Sequence, residues 1–350
     1  MCWPGNRLTY GVRSTYAFLS DISKGPYGTD ILADLDITAR GISTPTSRAV
    51  IKARNVVHHR SGIDFYPAIA AAKALRRSDI VVGLLEHATQ AAAILKGRSL
   101  PPYRSRPLVM ISCWLAHWLQ TKPTNEARKL VHRFRSVDLI LTLSRNQIPI
   151  LENAGFSPEQ LGSIPFGCEP RNFLHEADAP RDIPVLAAGF DHGRDYRTFF
   201  DGVRDLDVPI TLLCQDANIR DLDIPTNVEV KGVVPYDEYR NLIRRARVVA
   251  VPTKELAYPT GQSVALDAGA AGAALIVTGT TAMREYFSEE NATLVDVADS
   301  AGWRAAVSEL VSDEERRQRQ ARTTHDHVLG SFTNHHMWRS FQEQIAAHGL

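Results

Sequence analysis

Short apolar runs rich in Val, Ile and Leu alternate with segments of helical period along most of this chain, the pattern of parallel sheets covered by helices. In the first half the clearest strands are DIVVGLL (79–85), PLVMIS (107–112) and DLILTLS (138–144). Between the last two, NEARKLVHRFRS places Ala127, Leu130, Val131 and Phe134 on one helical face, with Lys129, His132, Arg133 and Arg135 on the rest. The second half repeats the scheme with IPVLAAG (183–189), PITLLC (209–214), NVEVKG (227–232), RVVAVP (247–252) and AALIVTG (273–279). The expected fold is α/β, with two Rossmann-like doubly wound domains.

Between the halves, GCEPRNFLHEADAPRDIP (167–184) is polar and has no period, so it reads as the linker. Near the start, the chain is expected to reach a turn at Gly11 and a helix from Arg13 without a convincing strand before it. ILADLDIT alternates, which predicts a strand with Asp34 and Asp36 on its polar face, and the second DLD, at 221–223, falls in a loop before Pro225. EERRQRQARTTHDHV (314–328) reads as a charged, solvated helix.

Composition narrows the class. A chain of 350 residues suggests two domains, and 44% hydrophobic with 8% aromatic residues fits an ordinary globular protein. A formal charge of +1 disfavours nucleic acid as the main partner, although a local basic patch escapes that test. Cys2, Cys113, Cys168 and Cys214 stand far apart and form no CxxC pair, so they read as reduced thiols of a cytoplasmic protein, and no metal site is expected. No window approaches the roughly 20 apolar residues that span a bilayer, and the first 30 residues do not read as a signal peptide.

The segment YPTGQSVALDAGAAGAALIVTG (258–279) carries the chemistry. Pro259 and Gly261 favour a turn, and Thr260 is expected to cap a helix running to about Ala271. The free N–H groups at such a start suit an anion, phosphate above all. Asp267, on one face with Ser263, would lie roughly 9 Å along the helix at about 1.5 Å per residue, a distance suited to gripping a ribose diol. A helix of Ala and Gly packed close to a sheet, with a solvated Asp267, fits the spacing equally well.

The order NVEVKGVVPYDEYRNLIRRARVVAVP followed by YPTGQSVALDAGAAGAALIVTGTTAMREYF resembles the donor-binding half of GT-B glycosyltransferases, especially glycosyltransferase family 4. AAGFDHGRDYRTFFDGV (187–203) resembles the family's diphosphate-binding segment, and GSIPFGCEPRNFL (162–174) its passage into the linker; the likeness covers residues 136–297. It implies two Rossmann-like domains facing a central cleft: an acceptor-binding domain over 1–170, a linker over 171–182, a donor-binding domain over 183–330, and a C-terminal helix over 331–350 packing back toward the first domain. It also implies transfer of a hexosyl-type sugar with retention of configuration, no obligatory metal, and no cofactor beyond the nucleotide-diphosphate sugar itself.

By position, the resemblance puts Asp267 on the ribose and Arg194 on the diphosphate, with Arg197, Thr260, Gly261, Gln262 and Ser263 completing the donor site. Pro259 stands where the family has the first Glu of a pair, with Glu255 upstream, and Phe190 stands where it has an Arg, leaving Arg197 or His192 as replacements. In the first half, Glu86 and His87 follow one strand and Trp114 and His117 the next, at ligand-facing ends. His87 and His117 are candidate catalytic residues beside Arg194; Glu86 and Trp114 are candidate acceptor contacts. The acceptor is expected to be a small molecule, glycan or lipid-linked glycan, with peripheral membrane contact compatible with the sequence. An epimerase or hydrolase of the same fold, or a degenerate nucleotide-sugar-binding partner protein, are the alternatives.

Overall fold

The computed structural model describes residues 14–23, 27–173 and 180–350. One parallel sheet comprises β1 (Ser14–Phe18), β2 (Ile37–Arg40), β3 (Ile80–Leu84), β4 (Leu108–Ser112), β5 (Leu139–Thr142) and β6 (Leu161–Ser163). It is ordered β2-β1-β3-β4-β5-β6. A second parallel sheet comprises β7 (Ile183–Ala188), β8 (Ile210–Leu213), β9 (Val228–Val230), β10 (Ala246–Val251), β11 (Ala274–Thr278) and β12 (Thr293–Val295), ordered β12-β11-β10-β7-β8-β9. Every residue of β3, β4, β5 and β11 is buried, which is why these strands read as unbroken apolar runs and not as alternation.

Helices cover both sheets: α1 (Arg48–Ser61), α2 (Tyr66–Leu75), α3 (Leu85–Gly97), α4 (Leu115–Thr121), α5 (Thr124–Phe134) and α6 (Ile148–Ala154) in the first half. The second half has α7 (Tyr196–Val203), α8 (Asp216–Ile219), α9 (Tyr236–Arg245), α10 (Gln262–Ala270), α11 (Ser300–Ser312), α12 (Glu314–Ser331) and α13 (Asn334–Ala347). Two expectations near the start are corrected. Residues 14–18 form β1 in place of a helix, paired to β2 and β3. The alternating stretch is a 3-10 helix over Thr29–Leu35, closed by Asp36 in the left-handed region at φ 58°, a conformation Asp tolerates, and β2 starts only after it. Residues 1–13 and, within the expected linker, 174–179 lie outside the described residues.

The two halves meet through specific bonds. The Tyr286 hydroxyl donates to the Leu143 carbonyl (2.6 Å) and accepts from the Phe166 N–H (2.8 Å), and the Glu285 carboxylate accepts from the Arg145 and Asn146 N–H groups. From the end of the chain, α13 sets Trp338 edge-on to Phe18 (5.7 Å) and Phe341 beside Tyr16 (5.9 Å), while the Trp338 indole donates to the Tyr27 carbonyl. Cys113, Cys168 and Cys214 are buried and unpaired.

Candidate functional site

In an open parallel sheet a ligand crevice opens where the strand order reverses, outside the carboxyl ends. In the second sheet that point lies between β7 and β10, which pair in register at Leu186 and Val249. The loops leaving these two strands form one wall of a cavity of about 1120 Å³ between the halves. Arg194, Thr260, Gly261, Gln262, Ser263 and Asp267 all line it, so six expected donor residues, read from two separate segments, share one surface.

Arg194 is the centre of that wall. Its backbone bridges Thr253, and its side chain is only 7% exposed. Two glycines make room for it. A Cβ on Gly189, at φ 147°, would fall 1.9 Å from Arg194 Nε, and one on Gly261, at φ 90°, would fall 2.7 Å from Nη1. Nε and Nη1 have no hydrogen-bond partner. A buried cation left so is costly unless an anion completes it. Gly261 is the N-cap of α10; the Gln262 N–H donates to the Pro259 carbonyl (3.2 Å), and the Ser263 and Val264 N–H groups of the first turn adjoin the same cation.

Thr260 is not the cap that the sequence suggested: its hydroxyl donates to Asp191 Oδ1 (3.0 Å). Asp191 also accepts from the Tyr258 hydroxyl at both oxygens (3.0 Å each) and from the Gly193 N–H (2.7 Å). This carboxylate ties the loop after β7 to the loop after β10 and so fixes Arg194 against α10. Sequence reasoning passed over it, because its partners lie 67 and 69 residues away.

Asp267 sits further along α10, partly buried, and its Oδ2 accepts from the Tyr239 hydroxyl (2.9 Å). Burial pushes its carboxyl up to about 7, with the Tyr239 bond opposing. Burial and the Asp267 charge push the Tyr239 hydroxyl well up, so that it donates at neutral pH. Tyr236, 56% exposed, stacks on Tyr239 at 6.1 Å and lines the cavity, giving a flat apolar surface beside Asp267. Phe190 also lines the cavity and is 41% exposed. Glu255 is exposed and accepts from the Thr281 N–H, and it is not among the residues lining the cavity. Arg197 points to solvent from the first turn of α7 and does not line the cavity either.

The first domain divides its candidates. Trp114 lines the cavity. His117, on α4, packs against Tyr258 (5.5 Å) and His192 (5.8 Å) across the interface; burial and His192 lower its pKa, with Asp191 acting the other way. Glu86 is fully buried and cannot act as a surface contact for an acceptor. Its Oε1 accepts from the Ser112 hydroxyl and from the Trp114 and Leu115 N–H groups, 2.7–2.8 Å, which holds the start of α4, and its Oε2 has no partner. His87 turns away into a separate cavity of about 520 Å³, although its ring touches Trp114 (5.9 Å) and Trp118 (5.5 Å). Asn334, unforeseen in the sequence, lines the main cavity with both amide atoms buried and unpartnered. Among the described residues no group of three or more His, Cys, Asp or Glu is placed to hold a metal ion, and no helix is long and apolar enough to cross a membrane.

Residues 194–343 match the family described as glycosyl transferase-like. A curated relative, the lipopolysaccharide core biosynthesis glycosyltransferase LpsE of Rhizobium meliloti (strain 1021), is 24% identical over 179 residues, covering 49% of this chain and 52% of that protein. The match thus spans about half the length of the relative. Among solved structures, Anabaena Alr3699/HepE in complex with UDP-glucose superposes with a TM-score of 0.69 at 13% identity, over 95% of this chain and 99% of that one. Sucrose-phosphate synthase (tll1590) from Thermosynechococcus elongatus gives 0.67 at 12%, over 96% and 100%. At these identities the likeness establishes the fold: two parallel six-stranded sheets with covering helices, the GT-B arrangement.

Proposed function

We propose that the chain is a glycosyltransferase of the family 4 type, moving a hexosyl group from a nucleoside-diphosphate sugar to an acceptor hydroxyl with retention of configuration and without a metal ion. The observation that carries this reading is the Arg194 guanidinium, buried on the cleft wall with two donor nitrogens unpartnered beside the first turn of α10. That combination suits a diphosphate. Asp267 would accept from the ribose hydroxyls, and the exposed Tyr236 face would carry the base. The glycosyl transferase-like match and the UDP-glucose held by the HepE structure support a nucleotide sugar, and make UDP-glucose the first donor to test.

In the reaction the bond from the sugar's anomeric carbon to the diphosphate oxygen breaks as the acceptor oxygen bonds to that carbon. For retention, attack comes from the face the diphosphate leaves, and the acceptor proton passes to a departing phosphate oxygen. Negative charge grows on the diphosphate, so a cation and helix N–H groups fixed in advance stabilise that state more than the ground state. His117, on α4, is not among the residues lining the cavity and reaches the donor wall only through its contact with Tyr258. The experiment is thermal shift against UDP-, GDP- and dTDP-sugars, followed by product analysis with labelled donor. Failure of every nucleoside diphosphate to stabilise the protein would overturn the proposal.

A further inference from the structure

The start of α13, the helix that packs on the first sheet, brings an unsatisfied amide to the main cavity. Its N-cap Thr333 accepts from the His336 N–H, the Asn334 N–H donates to the Cys168 carbonyl (2.7 Å), and the Cys168 N–H donates to the Phe332 carbonyl (2.9 Å). The backbone alone therefore fixes where Asn334 stands. Trp338 follows one turn later on the same face, and its indole donates to the Tyr27 carbonyl (2.7 Å), which holds the loop after β1 against the helix. Gly28 is the next residue of that loop, in the left-handed region at φ 51°, and a Cβ there would fall 2.0 Å from Asn334 Nδ2. Glycine leaves the amide its room.

Asn334 is 2% exposed and lines the cavity, and neither Nδ2 nor Oδ1 has a hydrogen-bond partner among the described residues. Burying both unpaired costs free energy that an apolar side chain of the same size would not, so the amide calls for a ligand that pairs with it. Its chemistry narrows that ligand, because Nδ2 only donates and Oδ1 only accepts. Phosphate oxygens accept and would leave Oδ1 bare; an ammonium donates and would leave Nδ2 bare. A pyrimidine edge offers a donor beside an acceptor, but the flat surface a base needs is Tyr236, on α9 of the second domain. Two neighbouring hydroxyls satisfy the amide completely, one accepting from Nδ2 while the other donates to Oδ1.

We propose that Asn334 binds the transferred sugar, its amide spanning two neighbouring hydroxyls, and so selects a donor whose sugar carries both. This rests on the glycosyltransferase reading, in which Tyr236, Asp267, Arg194 and the start of α10 take up the nucleoside diphosphate. The sugar lies beyond the diphosphate, and on that reading it has to face the first domain, where the acceptor that attacks its anomeric carbon is held. Among the described residues lining the cavity, Arg194 and Asn334 alone have buried side-chain nitrogen or oxygen atoms without partners. Arg194 has only donors to give. Asn334, carried on the first-domain side by the packing of Trp338 on Phe18 and Phe341 on Tyr16, has both kinds.

Calorimetric titration of UDP and of UDP-glucose into the wild type, Asn334→Ala and Asn334→Leu tests it. Loss of two neutral hydrogen bonds should weaken UDP-glucose on the order of 10- to 100-fold in either variant, with UDP affinity unchanged. Unliganded Asn334→Leu, which keeps the bulk and drops two unpaired atoms, should melt no lower than wild type. In a series of UDP-deoxyglucoses lacking the 2-, 3-, 4- or 6-hydroxyl, two neighbouring members should bind the wild type more weakly than UDP-glucose does and lose nothing further in Asn334→Ala. Equal losses for UDP and UDP-glucose put the amide on the nucleotide and overturn the proposal. Unchanged UDP-glucose affinity in both variants overturns it too, as does a deoxy series in which every member loses as much in Asn334→Ala as in wild type, or a lower melting temperature for Asn334→Leu. UDP binding by the wild type is read in the same titrations, so in those cases the donor site still stands. A wild type that binds neither UDP nor UDP-glucose removes the glycosyltransferase reading and this contact together.

Discussion

Replacing Arg194 with Met separates the two jobs a buried arginine can have. The methionine keeps an unbranched apolar chain between Gly189 and Gly261 but removes the cation and its two unpartnered donor nitrogens. In the unliganded protein those groups are a cost, each about 1–3 kcal/mol for a buried donor left without an acceptor. Apolar replacement of buried charge can stabilise by about 1–4 kcal/mol, so the unliganded variant should melt higher, by roughly 2–4 °C for each kcal/mol gained. Ligand binding should move the other way.

Hydrogen bonds to charged groups contribute about 1.5–3 kcal/mol each, so losing two weakens UDP binding on the order of 10²- to 10⁴-fold. Uridine, which lacks the phosphates, should bind both proteins about equally. The assay is a pair of melting curves, with and without ligand, since saturation at 100 times Kd adds about 2.7 kcal/mol to the wild type. A variant that melts lower and binds UDP as tightly as wild type would refute the argument, because Arg194 would then be a structural residue.

Asp267 supplies a pH test: its carboxyl is raised to about 7, so the stability tied to its neutral form is full below about pH 4 and lost as pH rises through 7. A ribose diol donates best to the ionised form, so UDP affinity should climb severalfold through pH 7, and Asp267→Asn should flatten both profiles; an unchanged pH profile in the variant would remove Asp267 from the ribose. Gly189→Ala places a Cβ 1.9 Å from Arg194 Nε at a φ of 147°, so it should cost about 1–3 kcal/mol in stability and also weaken UDP, with a smaller penalty in the Arg194→Met background; strictly additive effects would mean that the glycine does not serve the guanidinium. Turnover should survive excess EDTA if Arg194 and the α10 N–H groups carry the diphosphate, and abolition with rescue by manganese would refute that assignment.

The sheets were legible because parallel strands buried on both faces leave continuous apolar runs, and β3, β4, β10 and β11 were read directly from them. β1 was not, because STYAF opens on two half-buried polar residues and only its last three positions are fully buried. The donor wall was legible where one contiguous segment carries it, from Tyr258 to Asp267. The acceptor side shows the limit of reading from position alone. Glu86 and His87 do follow a strand, but α3 starts at Leu85, and neighbours on a helix point about 100° apart. One turns into the core and the other into a second cavity.

The unsatisfied polar atoms carry information that neither the apolar pattern nor the motif does. Native proteins pair nearly all buried donors and acceptors, so each exception asks for a partner the chain does not supply. Among the described residues, Arg194 Nε and Nη1 and both amide atoms of Asn334 are such exceptions, and both side chains line one cavity. They reach it from opposite directions: Arg194 from the switch point of the second sheet, Asn334 from the start of α13, the helix that packs Trp338 and Phe341 against the first sheet. A polar ligand that satisfied both would bond at once to the second domain and to the helix that crosses back to the first.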